Sequence, residues 1–416
     1  MKFGFLIIAS EILNGKISDL NGKKLVEFLQ TKGLSLSLTL VVPDDEKMIL
    51  EALDFLYSKV NVVITSGGLG PTLDDLTKET LGKYFQKTTE FSDEALVVAT
   101  QNYERHGRVF PGKDHGYSFL PKGFKALSNS TGFAPGLFFS ENHRTLFSAP
   151  GVPREFSSML KDHFFKLIPA SETYTKNFIA RTKRVPEEKI FKDVDPTLWE
   201  KLSHFGDVSS LPIVYGVDIG VTLKAQSQAE LDEKEKNIFE LFKSSPIFTS
   251  VWHFGSESIE EVIIKKAAAK KITIALAESC TGGYITHRLT NVSGSSSVIK
   301  GSFVTYQETM KTEILEIPAD FINQKGVVSP EVAKEMASQT RQKLNVDLAF
   351  STTGYAGPTG GDERYPVGSV CLGVSRKNLT ESSHYHFHGD REALKQRFTQ
   401  ALLYLILEEV EKFAEV

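Results

Sequence analysis

The sequence predicts an α/β protein built from two separate α/β domains with a small α+β module between them. Three observations predict this. Apolar runs of strand length alternate with amphipathic helical segments in the first and last thirds of the chain. Between about 170 and 250 the texture changes to closely spaced strands and one polar helix. And 416 residues exceed one typical domain. No segment repeats at a fixed period, so two distinct domains are expected rather than a duplication.

The elements follow in order. "FGFLIIA" (3–9) is a continuous apolar run, as expected for a strand covered on both faces. The opening "MKFGFLIIASEILNG" mimics a signal peptide, but its apolar core is short and an acidic residue follows at once, which reads as a buried strand. A helix fits 19–31, where Leu25, Phe28 and Leu29 share a face. "LSLTLVV" (36–42) is a second strand. "DDEKMILEALDFLYSKV" (44–60) is a helix with acidic residues in its first turn. "NVVITSGG" (61–68) is a third strand ending in glycine. This βαβαβ order predicts a doubly wound domain over 1–170, with its site at the carboxyl ends of the strands. Residues 171–252 form the α+β module: "KNFIARTKRV" gives one strand, "PIVYGVDIGVTLKAQ" two, and "QAELDEKEKNIFELFKSS" a helix. From 253 to 416 the α/β pattern resumes, with a helix at 258–270 and a strand in "KKITIALAES" (270–279). Ser329-Pro330-Glu331 is a helix start. "VDLAFSTTG" and "VGSVCLGVS" are strands, and a closing helix over 391–413 carries Leu394, Phe398, Leu402 and Leu405.

Composition narrows the function classes. Hydrophobic residues make up 41% and charged residues 24%, a balance that supports sizeable cores. A net charge of −4 argues against a nucleic-acid surface or a basic membrane patch. No apolar run approaches the ~20 residues that span a bilayer. Cys280 and Cys371 are the two cysteines, with no CxxC pair. A cytoplasmic location is expected.

The first candidate site is "TSGGLGPTLDDLTKE" (65–79). Gly67, Gly68 and Gly70 follow a strand, and glycines let backbone N–H groups crowd a ligand oxyanion ahead of a helix. Asp74 and Asp75 make sense if a hard divalent cation bridges them to phosphate. A plain glycine-rich turn, with either aspartate capping the next helix, fits the spacing equally well. "GGLGPTLDDLT" resembles the amino-terminal signature of the CinA competence/damage-inducible family, related to molybdopterin-binding domains. "NSTGFAPG" (129–136), "SAPGVPREFSSML" (148–160) and "ASEILNGKISDLN" (9–21) support it, the last keeping Glu11, Gly15, Asp19 and Asn21. The resemblance implies metal-dependent hydrolysis of ADP-ribose to AMP and ribose 5-phosphate, with Asp74 and Asp75 at the metal and Gly67, Gly68, Gly70 and Thr72 at the substrate. Ala9-Ser10 and Tyr117 depart from the family pattern, so this activity is expected to be the weaker of two.

The second candidate is "AESCTGG" (277–283). It resembles the family's carboxy-terminal domain, a nicotinamide mononucleotide deamidase. "GSFVTYQETMK" (301–311), "GVVSPEVAKEMA" (326–337), "TTGYAGPTGG" (352–361) and "YPVGSV" (365–370) follow in family order, with Tyr355 where isoleucine is usual. The middle module matches the family's KH-like linker. Amide hydrolysis needs a nucleophile, a base and donors for an oxyanion. Residue type alone leaves Ser279 and Cys280 tied, since cysteine is the better nucleophile but is also a common core residue. The family uses the serine, with the lysine at Lys311 as base. Tyr306 would relay the proton or hold the lysine, Thr353 would lie near the nucleophile, and backbone N–H groups at Gly282 and Gly283 would face the oxyanion. His287 reads as an exposed helix residue and Cys371 as core. Arg391, in a "GDR" triplet, is the phosphate candidate ahead of Arg397; a solvated helix charge is the plainer reading of either.

Together these expectations describe a bifunctional hydrolase of pyridine-nucleotide salvage. It would need a divalent metal for the first activity and no cofactor for the second. It would bind nicotinamide mononucleotide and ADP-ribose but neither nucleic acid nor membrane, and the resemblance implies a homodimer. The rivals are a first domain that binds a nucleotide or pterin without turnover, in a regulatory or competence role, and one that adenylates molybdopterin.

Overall fold

The computed structural model describes residues 1–72, 75–168 and 174–413. The boundary expected between 170 and 171 lies outside them. Two compact units result: Met1–Asn177 with Thr222–Asn237, and Phe178–Val221 with Ile238–Val416. Among the described residues no helix is long and apolar enough to cross a membrane.

The first unit holds strands β1 (Phe3–Ile8), β2 (Leu36–Val42), β3 (Val62–Ser66), β4 (Thr89–Phe91), β5 (Phe119–Pro121), β6 (Lys125–Leu127), β7 (Gly136–Glu141) and β8 (Arg144–Ala149). Six of them form a sheet in the order β2-β1-β3-β8-β7-β6, while β4 and β5 make a separate ribbon. Every residue of β1 and β3 is buried, as their unbroken apolar runs require. Alternate residues face opposite cores: Leu6, Ile8 and Val63 meet Leu53 and Leu56 on one side, and Phe5, Ile7 and Ile64 meet Phe147 and Phe156 on the other. The helix expected over 44–60 spans Glu46–Tyr57, its start fixed by the Asp45 carboxylate accepting from Met48 N–H.

The sheet is mixed rather than wholly parallel. β2, β1, β3 and β8 are parallel, but β7 is antiparallel to both its neighbours, β8 and β6. The cause is a hairpin between β7 and β8, turned by Asn142 and His143 at φ 49° and 63°. A two-residue turn with positive φ matches the strand twist, and asparagine tolerates that backbone.

Strands β9 (Tyr174–Thr182), β10 (Gly206–Ile213), β11 (Gly216–Ala225) and β12 (Val251–Phe254) form a four-stranded sheet in the order β10-β11-β9-β12. The second unit holds β13 (Ile274–Glu278), β14 (Ile299–Val304), β15 (Leu348–Gly354), β16 (Ser369–Arg376) and β17 (Leu379–His386), ordered β14-β13-β15-β16-β17. β14 and β17 are strands that the sequence pattern alone did not reveal. β13 is parallel to both its neighbours, whereas β15, β16 and β17 are antiparallel. The Ser329-Pro330 start is realised, with the Ser329 hydroxyl accepting from Val332 N–H above the helix Pro330–Leu344. The closing helix Arg391–Lys412 buries Leu394, Phe398 and Leu402 in the largest core cluster of this unit.

Register positions the second candidate site. Glu278 of β13 lies opposite Val304 of β14 and Thr352 of β15. Three parallel strands therefore release their carboxyl ends at one edge. Ser279, Thr305 and Thr353 are neighbours there although they are far apart in sequence.

Candidate functional site

Ser279 is the first residue beyond β13, and its N–H donates to Thr352 O at 3.1 Å. The short helix Glu308–Glu313 carries Lys311, whose Nζ lies 3.0 Å from Ser279 Oγ and 2.9 Å from Thr305 O. Lys311 is 1% exposed. Burial pushes its ammonium down to about 8, outweighing the upward pull of Cys280 and Glu308. An amine near that value is neutral often enough to take a hydroxyl proton near neutral pH.

The neighbouring side chains have defined partners. Thr353 is buried and its Oγ1 donates to Val327 O at 2.7 Å. Tyr306, expected to relay the proton or hold Lys311, is 55% exposed, and its hydroxyl accepts from Arg391 at 2.6 Å. It sits at the end of β14, on the cleft rim, where Arg391 reaches across and also donates to Gly357 O at 2.6 Å. Arg397 instead donates to His388 O. His287 is exposed, as expected.

Gly282 and Gly283 adopt φ +63° and +88°, which glycine alone enters freely. The Gly282 amide donates to Ser279 O at 3.0 Å, so the turn uses this N–H and it is not free for an oxyanion. Sequence reasoning missed Glu278. Its fully buried carboxylate accepts from Ile285 N–H, Thr286 N–H and Thr286 Oγ1, and so clamps the loop that carries Ser279. The signal was there: a carboxylate closing an otherwise apolar strand needs buried donors.

The Lys311 contact separates the two nucleophile candidates, since both are buried and both line the cleft but only Ser279 meets the lysine. Cys280 is buried, and desolvation pushes its thiol up to about 12, so it stays protonated. Cys371 lies in the core on β16, also pushed up to about 12 by burial. Ser279, Tyr306, Lys311, Thr353, Tyr355 and Arg391 line a cleft of about 650 Å³. Its lining has two cationic side chains and no carboxylate. Such a cleft suits an anionic ligand with a polar group to be attacked.

The first candidate site lies at the carboxyl ends of β1 and β3. A Cβ on Gly67 would fall 2.1 Å from Ile8 O, so only glycine fits there. Gly68 has φ +64°, and the Thr77 hydroxyl donates to Gly67 O. Gly70 packs against Asp75, whose Oδ2 accepts from Thr72 N–H at 2.9 Å and Thr72 Oγ1 at 2.5 Å. Asp75 thus pins the glycine turn rather than capping the helix Thr77–Tyr84. Asp74 lies outside the described residues.

The cleft beside this turn, about 1300 Å³, is lined by Glu11, Asn21, Asp44, Asp75, Tyr117 and Glu155 among others, and by no lysine or arginine. Ser10 donates to Asp44 Oδ2 through both its N–H and its hydroxyl. Asn21 spends its amide donors on Ser66 Oγ and Gly151 O, both at 2.7 Å. Its buried Oδ1 has no partner among the described residues. Among the described residues no three acidic, histidine or cysteine side chains gather at one point. These oxygen acceptors nonetheless suit a hard divalent ion held by one or two carboxylates, with phosphate and water completing its shell. The donor set fits that group.

Two family models match the chain: the CinA C-terminal domain over residues 256–410 and the "probable molybdopterin binding domain" over 4–170. A CinA-like protein of Flavobacterium psychrophilum is 33% identical over 420 residues, covering 99% of each chain. One from Geotalea uraniireducens is 32% identical over 405 residues, covering 95% of this chain and 94% of its own. A crystal structure of a competence/damage inducible protein from Agrobacterium tumefaciens is 29% identical, with a TM-score of 0.36, covering 38% of this chain and 98% of its own.

Proposed function

This chain belongs to the CinA family, and from that premise we propose that it is a bifunctional hydrolase that deamidates nicotinamide mononucleotide and cleaves ADP-ribose. The observation that carries the deamidase is the 3.0 Å approach of Lys311 Nζ to Ser279 Oγ in a cationic cleft. Ser279 Oγ attacks the carboxamide carbon while neutral Lys311 takes its proton. N–H groups of the Cys280–Gly283 loop other than that of Gly282 face the oxyanion, with Gly283 the favoured donor. Collapse breaks the C–N bond, and Lys311 returns the proton to the departing ammonia. Water then attacks the nicotinoyl ester with Lys311 again as base, releasing nicotinate mononucleotide and free Ser279. Thr353 fixes the strand end beside the nucleophile, and Arg391 binds the substrate at the cleft rim.

Cys280 takes no part in these steps. Cys280→Ser keeps the size and removes the thiol, so we expect deamidation within about tenfold of the parent. A dead Cys280→Ser beside an active Ser279→Ala would reverse the nucleophile assignment.

In the first domain the glycine turn Gly67–Gly70 with Thr72 would receive the diphosphate, and Asp75, together with Asp74, would hold a divalent cation. When bound, that cation offsets phosphate charge and lowers the pKa of an attacking water. Asp75 stays oriented because Thr72 grips one of its oxygens. Chelation by EDTA is expected to abolish ADP-ribose hydrolysis and leave deamidation nearly intact, both followed by chromatography of the products. Equal loss of both would sink the division into two chemistries. A second reading, nucleotide binding without turnover, draws support from Ser10 engaging Asp44 and from Tyr117 in the cleft wall. Saturable ADP-ribose binding with no AMP released would establish it. A cytoplasmic homodimer belongs to the same proposal.

A further inference from the structure

Three basic residues occupy the first two turns of the helix Arg391–Lys412, and two of them are committed. Arg391 donates to Gly357 O and Tyr306, and Arg397 to His388 O. Lys395 is different. It is half-buried, and among the described residues no hydrogen bond or ion pair reaches its ammonium. Lys395 Nζ is the atom that a Cβ built on Gly282 would meet, at 3.9 Å. With no side chain at position 282, nothing from that residue stands between the ammonium and the loop that carries Ser279. Arg391 and Lys395 are spaced i, i+4, so they share one helix face. Arg391 lines the cleft, and Lys395 extends the same positive edge by one turn toward the nucleophile loop.

We propose that Lys395 is a specificity-determining residue that binds the phosphate of the substrate, selecting amides carried on a phosphorylated ribose over the free nucleoside. The proposal rests on the deamidase reading above. An ammonium beside the nucleophile loop with neither hydrogen bond nor ion pair among the described residues keeps its three donors for an arriving anion. A phosphate presents several acceptor oxygens, and a lysine's three donors meet them as a point charge without demanding one orientation. The substrate's two ends then separate: the carboxamide at Ser279 and Lys311, the phosphate at Lys395. Since the phosphate is remote from the bond that breaks, its contact contributes similarly to ground state and transition state and is read in KM.

The test is steady-state kinetics of the full chain and its Lys395→Gln and Lys395→Arg variants, on nicotinamide mononucleotide and on nicotinamide riboside. For Lys395→Gln, KM for the mononucleotide is expected to rise about 10- to 100-fold, the range of a hydrogen bond to a charged group. Its kcat should change by less than about threefold, and kcat/KM for the riboside should not move. Lys395→Arg should restore most of the affinity. A mononucleotide KM within about twofold of the parent, or equal losses on both substrates, would overturn the assignment. A parent chain inactive on both substrates overturns the deamidase reading itself, and this inference with it.

Discussion

Ser279→Ala should lower kcat for nicotinamide mononucleotide by about a thousandfold or more while leaving substrate binding measurable, since a nucleophile contributes mainly after binding. Ser279 is 7% exposed and its backbone is held by Thr352 O, so removing one oxygen leaves the strand end and the Glu278 clamp intact. Loss of activity with an unchanged melting temperature would therefore report chemistry rather than folding. Mass spectrometry of denaturant-quenched reactions should place a nicotinoyl adduct on Ser279, and none should form in the alanine variant. An adduct on Cys280 would contradict both the geometry and the raised thiol pKa. ADP-ribose hydrolysis should be untouched, because no residue of the first candidate site belongs to this cleft.

How much of this was legible beforehand depends on how local each determinant is. β1 and β3 could be read directly because burial on both faces leaves an unbroken apolar run. The β7–β8 hairpin was missed because its turn is Asn142-His143 rather than a glycine pair, and only the backbone shows both residues at positive φ. β14 was missed because several of its residues are only partly buried, which blurs the two-residue period. The motifs around Ser279 and Lys311 could be quoted from sequence, but their adjacency could not. It depends on β13 pairing in parallel with β14 and β15 at a particular register, a property of the whole sheet. The same holds for the unpartnered Asn21 Oδ1 and the uncommitted Lys395, since lacking a partner is a three-dimensional fact. Tyr306, five residues before Lys311, was expected to relay the proton or hold the lysine; its hydroxyl accepts from Arg391, a partner that only the fold reveals.

Lys311 carries the other large expected effect, and its burial fixes the sign. The amine is pushed down to about 8, and only the neutral form can accept the Ser279 proton. The logarithm of kcat/KM should therefore climb about one unit per pH unit below that value and level off above it. Lys311→Met fills the same buried space without a base and should cost about as much as Ser279→Ala. The double variant should be scarcely worse than either, because the two groups act as one. Stability adds a readout independent of turnover. The folded-state pKa lies below the ordinary value of 10.5, so between about 8 and 10.5 the unfolded chain binds the extra proton. This group thus makes stability rise with pH across that window, and below it the cost of burying the charge is present in full. Methionine titrates nothing, so the parent-minus-variant difference in melting temperature should grow more favourable to the parent from pH 8 to pH 10. A flat difference, or a pH–activity profile centred near 10, would show that burial does not lower the Lys311 pKa and that it cannot be the base at neutral pH.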